Sequence, residues 1–208
     1  MQEKRATERL TVLLLGSGGR ESAMAWRIAT SPEVEQLYIA PGNGGSEIYG
    51  INVPELSGKD FDAIADFIAS HGVNLLVSGP EEPLVQGIAD YFAERKEDFP
   101  HLMVVGPNAQ GAQLEGSKDF SKAFMQRCGI PTASYRTFAA NEKSEAVAYL
   151  QTLHPPFVLK ADGLAAGKGV LIVPTLEEAA KGFDDLAEGI WGSKGQKIVI
   201  EEFLQGIE

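Results

Sequence analysis

The sequence predicts an α/β chain: a doubly wound, Rossmann-like parallel sheet, followed by a second region built around a glycine-rich hairpin. Three observations carry this. Short apolar strands alternate with amphipathic helical stretches over residues 10–105, the pattern of βαβ crossovers. Each main strand runs into a glycine-containing turn, at 16–20, 41–45, 79–82 and 106–108, on the sheet edge where such folds bind ligands. Finally, residues 156–173 read PFVLKADGLAAGKGVLIV. Two apolar runs, 157–159 and 170–173, flank a segment with three glycines, two alanines and a lysine, which reads as strand, loop, strand.

Taken in order, residues 1–9 are charged, lack the apolar stretch of a signal peptide, and are read as a tail. Residues 10–15 (LTVLLL) are continuously apolar, as a strand buried on both faces of a parallel sheet requires. They enter Gly16-Ser17-Gly18-Gly19-Arg20-Glu21 and a helix over 22–30. Glycines at a strand-to-helix turn expose N–H groups at the positive end of a helix, which suits an anion. The dinucleotide fingerprint G-x-G-x-x-G is not met, because Glu21 holds the sixth position. The second strand, 37–40, ends in Pro41-Gly42-Asn43 with no acid for an adenosine ribose, so a monophosphate is expected there rather than NAD. A helix over 61–70, strand 75–78, turn Gly79-Pro80-Glu81-Glu82-Pro83, helix 84–94 and strand 103–105 complete a substrate domain expected to span 10–113.

The second region, 114–208, opens with a helix over 117–127 that starts at Ser117-Lys118 and stops at Gly129, with Pro131 beyond. A strand over 134–138 and a helix over 142–153 capped by Asn141 precede the hairpin. A helix over 176–188 follows, with a Thr175-to-Glu178 capping box, then a polar loop at 192–196 and a strand over 197–202.

The hairpin loop carries the chemistry. Its bare backbone can approach a polyphosphate, and Lys160 and Lys168 can neutralise it. A Walker A loop is excluded: Gly163 and Gly167 enclose only three residues, Lys168 is followed by Gly169 instead of a hydroxyl, and a strand follows instead of a helix. The loop reads as a flap that folds over a nucleotide, as the glycine loop of kinases does.

Composition narrows the classes further. The chain has 208 residues and a formal charge of −11, which argues against a non-specific binder of nucleic acid or of an anionic membrane. One cysteine, Cys128, allows no internal disulfide and points to a reducing, cytoplasmic setting. His71, His101 and His154 stand apart without metal-ligand spacing and are read as structural or solvated.

The motifs GSGGRE, APGN, GPEEPL, QLEGSKDF, KADGLAAGKGV and EEFLQGIE, in that order, closely resemble the glycinamide ribonucleotide synthetases (phosphoribosylamine–glycine ligases), an ATP-grasp family. The resemblance covers nearly every residue beyond the tail. One departure is Ser22, where the family reads histidine after Gly-Gly-Arg-Glu. By this resemblance the first domain is a pre-ATP-grasp domain and the second the first part of an ATP-grasp domain, including its flap lobe. Such enzymes are about twice this length, so the chain is expected to be an N-terminal half that does not turn over alone.

The implied activity is ADP-forming ligation of glycine to 5-phosphoribosylamine, through glycyl phosphate, in purine biosynthesis. The implied partners are ATP, glycine and 5-phosphoribosylamine, without nucleic acid or membrane. Magnesium or manganese is implied as cofactor, its ligands expected outside these residues. Lys118 and Lys160 are expected on the ATP phosphates as the catalytic groups, with Gly163, Ala165, Ala166, Gly167, Lys168 and Gly169 closing above. Glu201, Glu202, Phe203 and Leu204 are expected to grip adenine through the carboxylates or the main chain, and Glu208 the ribose. Gly18, Gly19, Arg20, Asn43, Pro80 and Glu81 are expected around the phosphoribosylamine. Alternatives are another ATP-grasp carboxylate–amine ligase, or a nucleotide-binding module without catalysis. A dinucleotide-dependent oxidoreductase module is a third, opposed by the incomplete fingerprint.

Overall fold

The structure, a computed structural model, describes residues 9–165, 168–190 and 196–207. The chain divides into two compact units, residues 1–112 and 113–208.

In the first unit, strands β1 (Leu10–Gly16), β2 (Val34–Pro41), β3 (Ile51–Asn52), β4 (Leu75–Ser78) and β5 (Met103–Val105) form one sheet in the order β3-β2-β1-β4-β5. Every pairing is parallel. β1 is apolar throughout because both its faces are covered. Leu13 and Leu15 pack with Ile64 and Ile68 of helix α2 (Phe61–His71), while Val12 and Leu14 pack with Ala25 of helix α1 (Gly19–Ala29). The chain leaves β1 toward β2 and later returns to its other side as β4. That reversal of strand order opens a crevice at the carboxyl ends of β1 and β4.

Helix α1 begins at Gly19, three residues before position 22, because the glycine turn is itself its first turn, with Gly18 at the cap. The helix expected over 84–94 is two, α3 (Glu82–Val85) and α4 (Ile88–Glu94); Gly87 at φ 92° lies in the left-handed region and breaks the ladder between them. The two-residue β3 and helix α5 (Ala109–Gly116) were not expected; neither has enough apolar periodicity to signal itself.

In the second unit, β6 (Tyr135–Phe138), β7 (Phe157–Ala161), β8 (Val170–Val173) and β9 (Ile198–Glu201) make an antiparallel sheet ordered β6-β9-β7-β8. The hairpin is as expected, with Phe157 opposite Val173 and Lys160 opposite Val170. One face of the sheet buries Leu159, Ile198 and Ile200 against α7 (Lys143–Leu150) and α8 (Leu176–Ala187), which supply Leu150, Phe183 and Leu186. Strand alternation sends Lys160 and Glu201 to the opposite face, where helix α6 (Lys118–Arg127) contributes Asp119 and Lys122.

Asn141 does not cap α7. Glu142 holds that place, its carboxylate accepting from the Ala139 N–H at 2.7 Å, and the helix ends at Leu150 instead of 153. Thr152 and Leu153 continue in tighter i→i+3 bonds to Tyr149 and Leu150. At α8 the Thr175 hydroxyl accepts from the Glu178 N–H, as the capping pattern requires. Among the described residues no helix is long and apolar enough to cross a membrane. Of the expected site, Ala166, Gly167 and Glu208 lie outside the described residues, as do residues 1–8 of the tail and 192–195 of the polar loop.

Candidate functional sites

In the first unit the expected residues converge on the crevice at the carboxyl edge. Gly18 and Gly19 begin α1, Asn43 follows β2, and Pro80 and Glu81 follow β4. The Asn43 amide donates to the carbonyls of Ser17 (2.8 Å) and Gly18 (3.2 Å), tying the loop after β2 to the glycine turn. The Arg20 guanidinium reaches Glu21 at 3.0 Å and Glu81 at 3.4 Å, and the hydrogen bond to Glu21 raises it above the usual arginine value. Arg20 remains largely exposed, so its charge is open to a ligand. The Pro80 carbonyl is held by the Ser78 hydroxyl. Beside these lies a cavity of about 300 Å³ lined by Gly16, Gly18, Glu21, Lys59 and Pro80.

Glu21 was legible only as the residue that spoils a dinucleotide fingerprint. In the fold it is the support of the turn: its side chain is buried and accepts from the Gly18 N–H at 2.7 Å. A Cβ on Gly16, Gly18 or Gly79 would meet its carboxyl group. Those three glycines are therefore explained by the glutamate they surround, and Gly16, at φ 125°, is also in a conformation side chains disfavour. Ser22, the departure from the family pattern, donates its hydroxyl to Asn43 Oδ1 at 3.0 Å and so belongs to the same network.

In the second unit the base of the hairpin loop is anchored by a residue that no sequence motif singles out. Asp162, at the end of β7, accepts from the Ser117 hydroxyl at 3.1 Å and from the Asp119 N–H at 3.2 Å, placing a carboxylate at the N-terminus of α6. Lys118, in the first turn of that helix, donates to the Gly163 carbonyl at 2.9 Å. Burial holds its ammonium below the usual lysine value, against the opposing pull of Asp162. Gly169 returns the chain to β8 so close to Ala165 and Ala161 that a Cβ would clash, and its carbonyl accepts from the Ala161 N–H at 2.8 Å. Lys168 is exposed, its N–H bonded to the Ala165 carbonyl.

Glu201, the last residue of β9, is turned away from water. It is 5% exposed and sits between two ammonium groups, Lys122 at 2.9 Å and Lys160 at 3.0 Å. An ammonium on an otherwise apolar strand is costly to bury unpaired, and the ion pair with Glu201 offsets that cost for Lys160. Lys122 gave no signal beyond its place on an amphipathic helix. The Glu202 carboxylate accepts from the Ser134 N–H at 2.8 Å, which holds it below the usual carboxylate value, and its own N–H donates to the Ser134 carbonyl. Phe203 and Leu204 continue past β9, both exposed. Asp119 accepts from Thr137 and Lys197; burial alone would raise its carboxyl, but those two donors together hold it below its usual value.

Comparison with known proteins follows this architecture unit by unit. Residues 10–115 match the family description "Phosphoribosylglycinamide synthetase, N domain", and residues 116–208 match "Phosphoribosylglycinamide synthetase, ATP-grasp (A) domain". A phosphoribosylamine–glycine ligase of Ralstonia nicotianae is 49% identical over 202 residues, covering 96% of this chain and 46% of the relative. The crystal structure of a phosphoribosylamine–glycine ligase from Thermotoga maritima superimposes with a TM-score of 0.72 at 35% identity, over 95% of this chain and 45% of that one. An N5-carboxyaminoimidazole synthase from Aspergillus clavatus, solved with ADP and an aminoimidazole ribonucleotide, shares the fold at a TM-score of 0.65 and 15% identity, over 95% and 47% of the two chains. The chain thus spans about half the length of the curated relatives it matches. With both of its units matched by consecutive domains of one family, the chain belongs to the phosphoribosylglycinamide synthetases.

Proposed function

We propose that this chain supplies the sugar-binding and nucleotide-binding parts of an ADP-forming ligase that joins glycine to 5-phosphoribosylamine in cytoplasmic purine biosynthesis. The observation that carries the reading is the pair of ammonium groups at the base of the hairpin. Lys118 lies on the Gly163 carbonyl and Lys160 is partly exposed on the adjoining strand, in a chain whose relatives are named for this reaction.

The chemistry explains why such groups are needed. The glycine carboxylate resists amide formation because its oxygen leaves poorly. Transfer of the γ-phosphoryl group of ATP to that oxygen forms glycyl phosphate and releases ADP. The amine of 5-phosphoribosylamine then attacks the carbonyl carbon, phosphate leaves with the C–O bond electrons, and the amine proton is lost to solvent. Three anions must meet, so positioning and neutralisation carry most of the rate. In this reading Lys118 and Lys160 hold the phosphates. The flap from Gly163 through Ala165, Ala166, Gly167, Lys168 and Gly169 excludes water from above.

Because the Glu201 side chain is committed to lysines and Glu202 to Ser134, adenine is held by main-chain groups between Glu201 and Leu204, beside Phe203, and its ribose by Glu208. In the first unit the Gly18 N–H is taken by Glu21. The ribose phosphate therefore falls to the Gly19 and Arg20 amides and the Arg20 guanidinium, with Asn43, Pro80 and Glu81 around the sugar and amine.

A divalent cation, magnesium or manganese, would supply neutralisation of the phosphate charge when bound. Among the described residues no group of three or more His, Cys, Asp and Glu could hold one, and Asp162 and Glu201 are already engaged. These residues do not fit a metal site, and no step is assigned to them through it.

Calorimetry of the 208-residue chain should show binding of ADP and, independently, of ribose 5-phosphate. In a chain of the relatives' full length, ADP release should require glycine and freshly made 5-phosphoribosylamine together. Release that ignores glycine would overturn the reaction assigned.

A further inference from the structure

Lys122 is a buried ammonium with no part in the roles above. All three of its donors are committed: to the Thr132 hydroxyl at 2.8 Å, to the Ala133 carbonyl at 3.2 Å and to Glu201 Oε2 at 2.9 Å. The Tyr135 ring lies 5.5 Å from its nitrogen. Lys160 differs. It takes the other Glu201 oxygen, and its side chain is 28% exposed against 8% for Lys122. Of the two lysines sharing one buried carboxylate, only Lys160 can reach a ligand.

That asymmetry sets up a charge problem. If Lys160 turned to a phosphate and Glu201 had no other partner, a carboxylate would be left buried without compensation, which is strongly unfavourable. With Lys122 fixed on Oε2, the carboxylate stays compensated. We propose that Lys122 is a positioning residue that frees Lys160 for the nucleotide, by keeping Glu201 neutralised when Lys160 leaves it. The trio carries two positive charges and one negative, so a unit of positive charge is available to the ligand. This deepens the nucleotide reading given above and rests on it.

The test uses the 208-residue chain with ADP as probe. Lys122→Met should weaken ADP about 10- to 100-fold in calorimetry, whereas Lys122→Arg, which keeps the charge, should recover most of the affinity. In the Glu201→Gln background, adding Lys122→Met should change ADP affinity less than about threefold, since no carboxylate is left to compensate. A loss that persists in that background would show a merely structural role and overturn the proposal.

Without ligand, the Lys122→Met and Lys160→Met pair should lower Tm by on the order of 5 °C more than the sum of the single changes. Additive shifts would also overturn it. Should Lys122→Met not fold alone, the comparison of Glu201→Gln with Lys122→Met/Glu201→Gln still decides the matter, because neither leaves a bare carboxylate. Failure of the unsubstituted chain to bind ADP would sink the nucleotide reading and this inference together. Normal binding with an indifferent Lys122→Met would sink this inference alone.

Discussion

Among the described residues each unit buries one glutamate, and the two are used in opposite ways. Glu21, in the first unit, is 4% exposed and spends its oxygens on the Gly18 N–H and the Arg20 guanidinium. Its effect is on shape: the turns at Gly16 and Gly79 have no room for a Cβ because this side chain fills the space. Glu201, in the second unit, is equally buried but answers to two ammonium groups, one locked and one partly exposed. Its effect is on charge. A carboxylate bonded to backbone N–H groups fixes a loop, whereas one shared between lysines governs which cation is available. The glycine motifs that look alike in sequence are thus glycine-rich for different reasons. In the turn a side chain fills the space a Cβ would need; in the hairpin loop, among the described residues, Gly163 faces open space at φ 89° and only Gly169 is crowded.

The largest break in this comparison should come from the charge side. In a full-length family enzyme, Lys160→Met keeps the strand and removes the ammonium proposed to hold the phosphates. It should lower kcat/KM by on the order of 10²–10³, comparable with losing one oxyanion donor. Unchanged turnover would remove Lys160 from the chemistry.

The shape side predicts a smaller and separable effect. Gly79→Ala should cost about 1–3 kcal/mol by urea unfolding, because its Cβ falls within the Glu21 carboxyl group, which other groups hold in place. In a Glu21→Ala background the same change should cost less than about 0.5 kcal/mol. Equal costs in the two backgrounds would show that Glu21 does not dictate the glycine.

The smallest effect is a pH dependence at the Asp119–Lys197 pair. Lys197 and Thr137 hold Asp119 below its usual value, so its contribution to stability is present above the ordinary carboxylate range and is lost as pH falls through the lowered folded value. Lys197 is raised, first of all by its hydrogen bond to Asp119, so its share is present below the ordinary lysine value and lost only as pH rises through the higher folded one. Between those limits the pair is intact. Asp119→Asn should therefore flatten the acid limb of the stability curve by about 0.5–1 kcal/mol, the lysine being mostly exposed. An acid limb identical to that of the unsubstituted chain would assign the pair no weight.

What the sequence alone determined about this protein was whatever depends on neighbours along the chain. The apolar run 10–15, the glycine turn behind it and the two halves of the hairpin are local patterns with local causes, so strand, turn and hairpin were legible, as was the family from its ordered motifs. Lys160 and Lys168 could be singled out because a lysine beside a glycine loop is itself a chemical signal, whereas Lys118 was singled out by the family resemblance.

Tertiary structure alone decided the partners. Glu21 lies under Gly79, 58 positions on, and Asp162 closes the N-terminus of a helix that begins 44 positions earlier at Lys118. Lys122 meets Glu201 only because β9 inserts between β6 and β7 and turns that carboxylate toward α6. A buried charge must be matched by whatever the fold brings within about 3 Å. No periodicity in the sequence records which residue that will be.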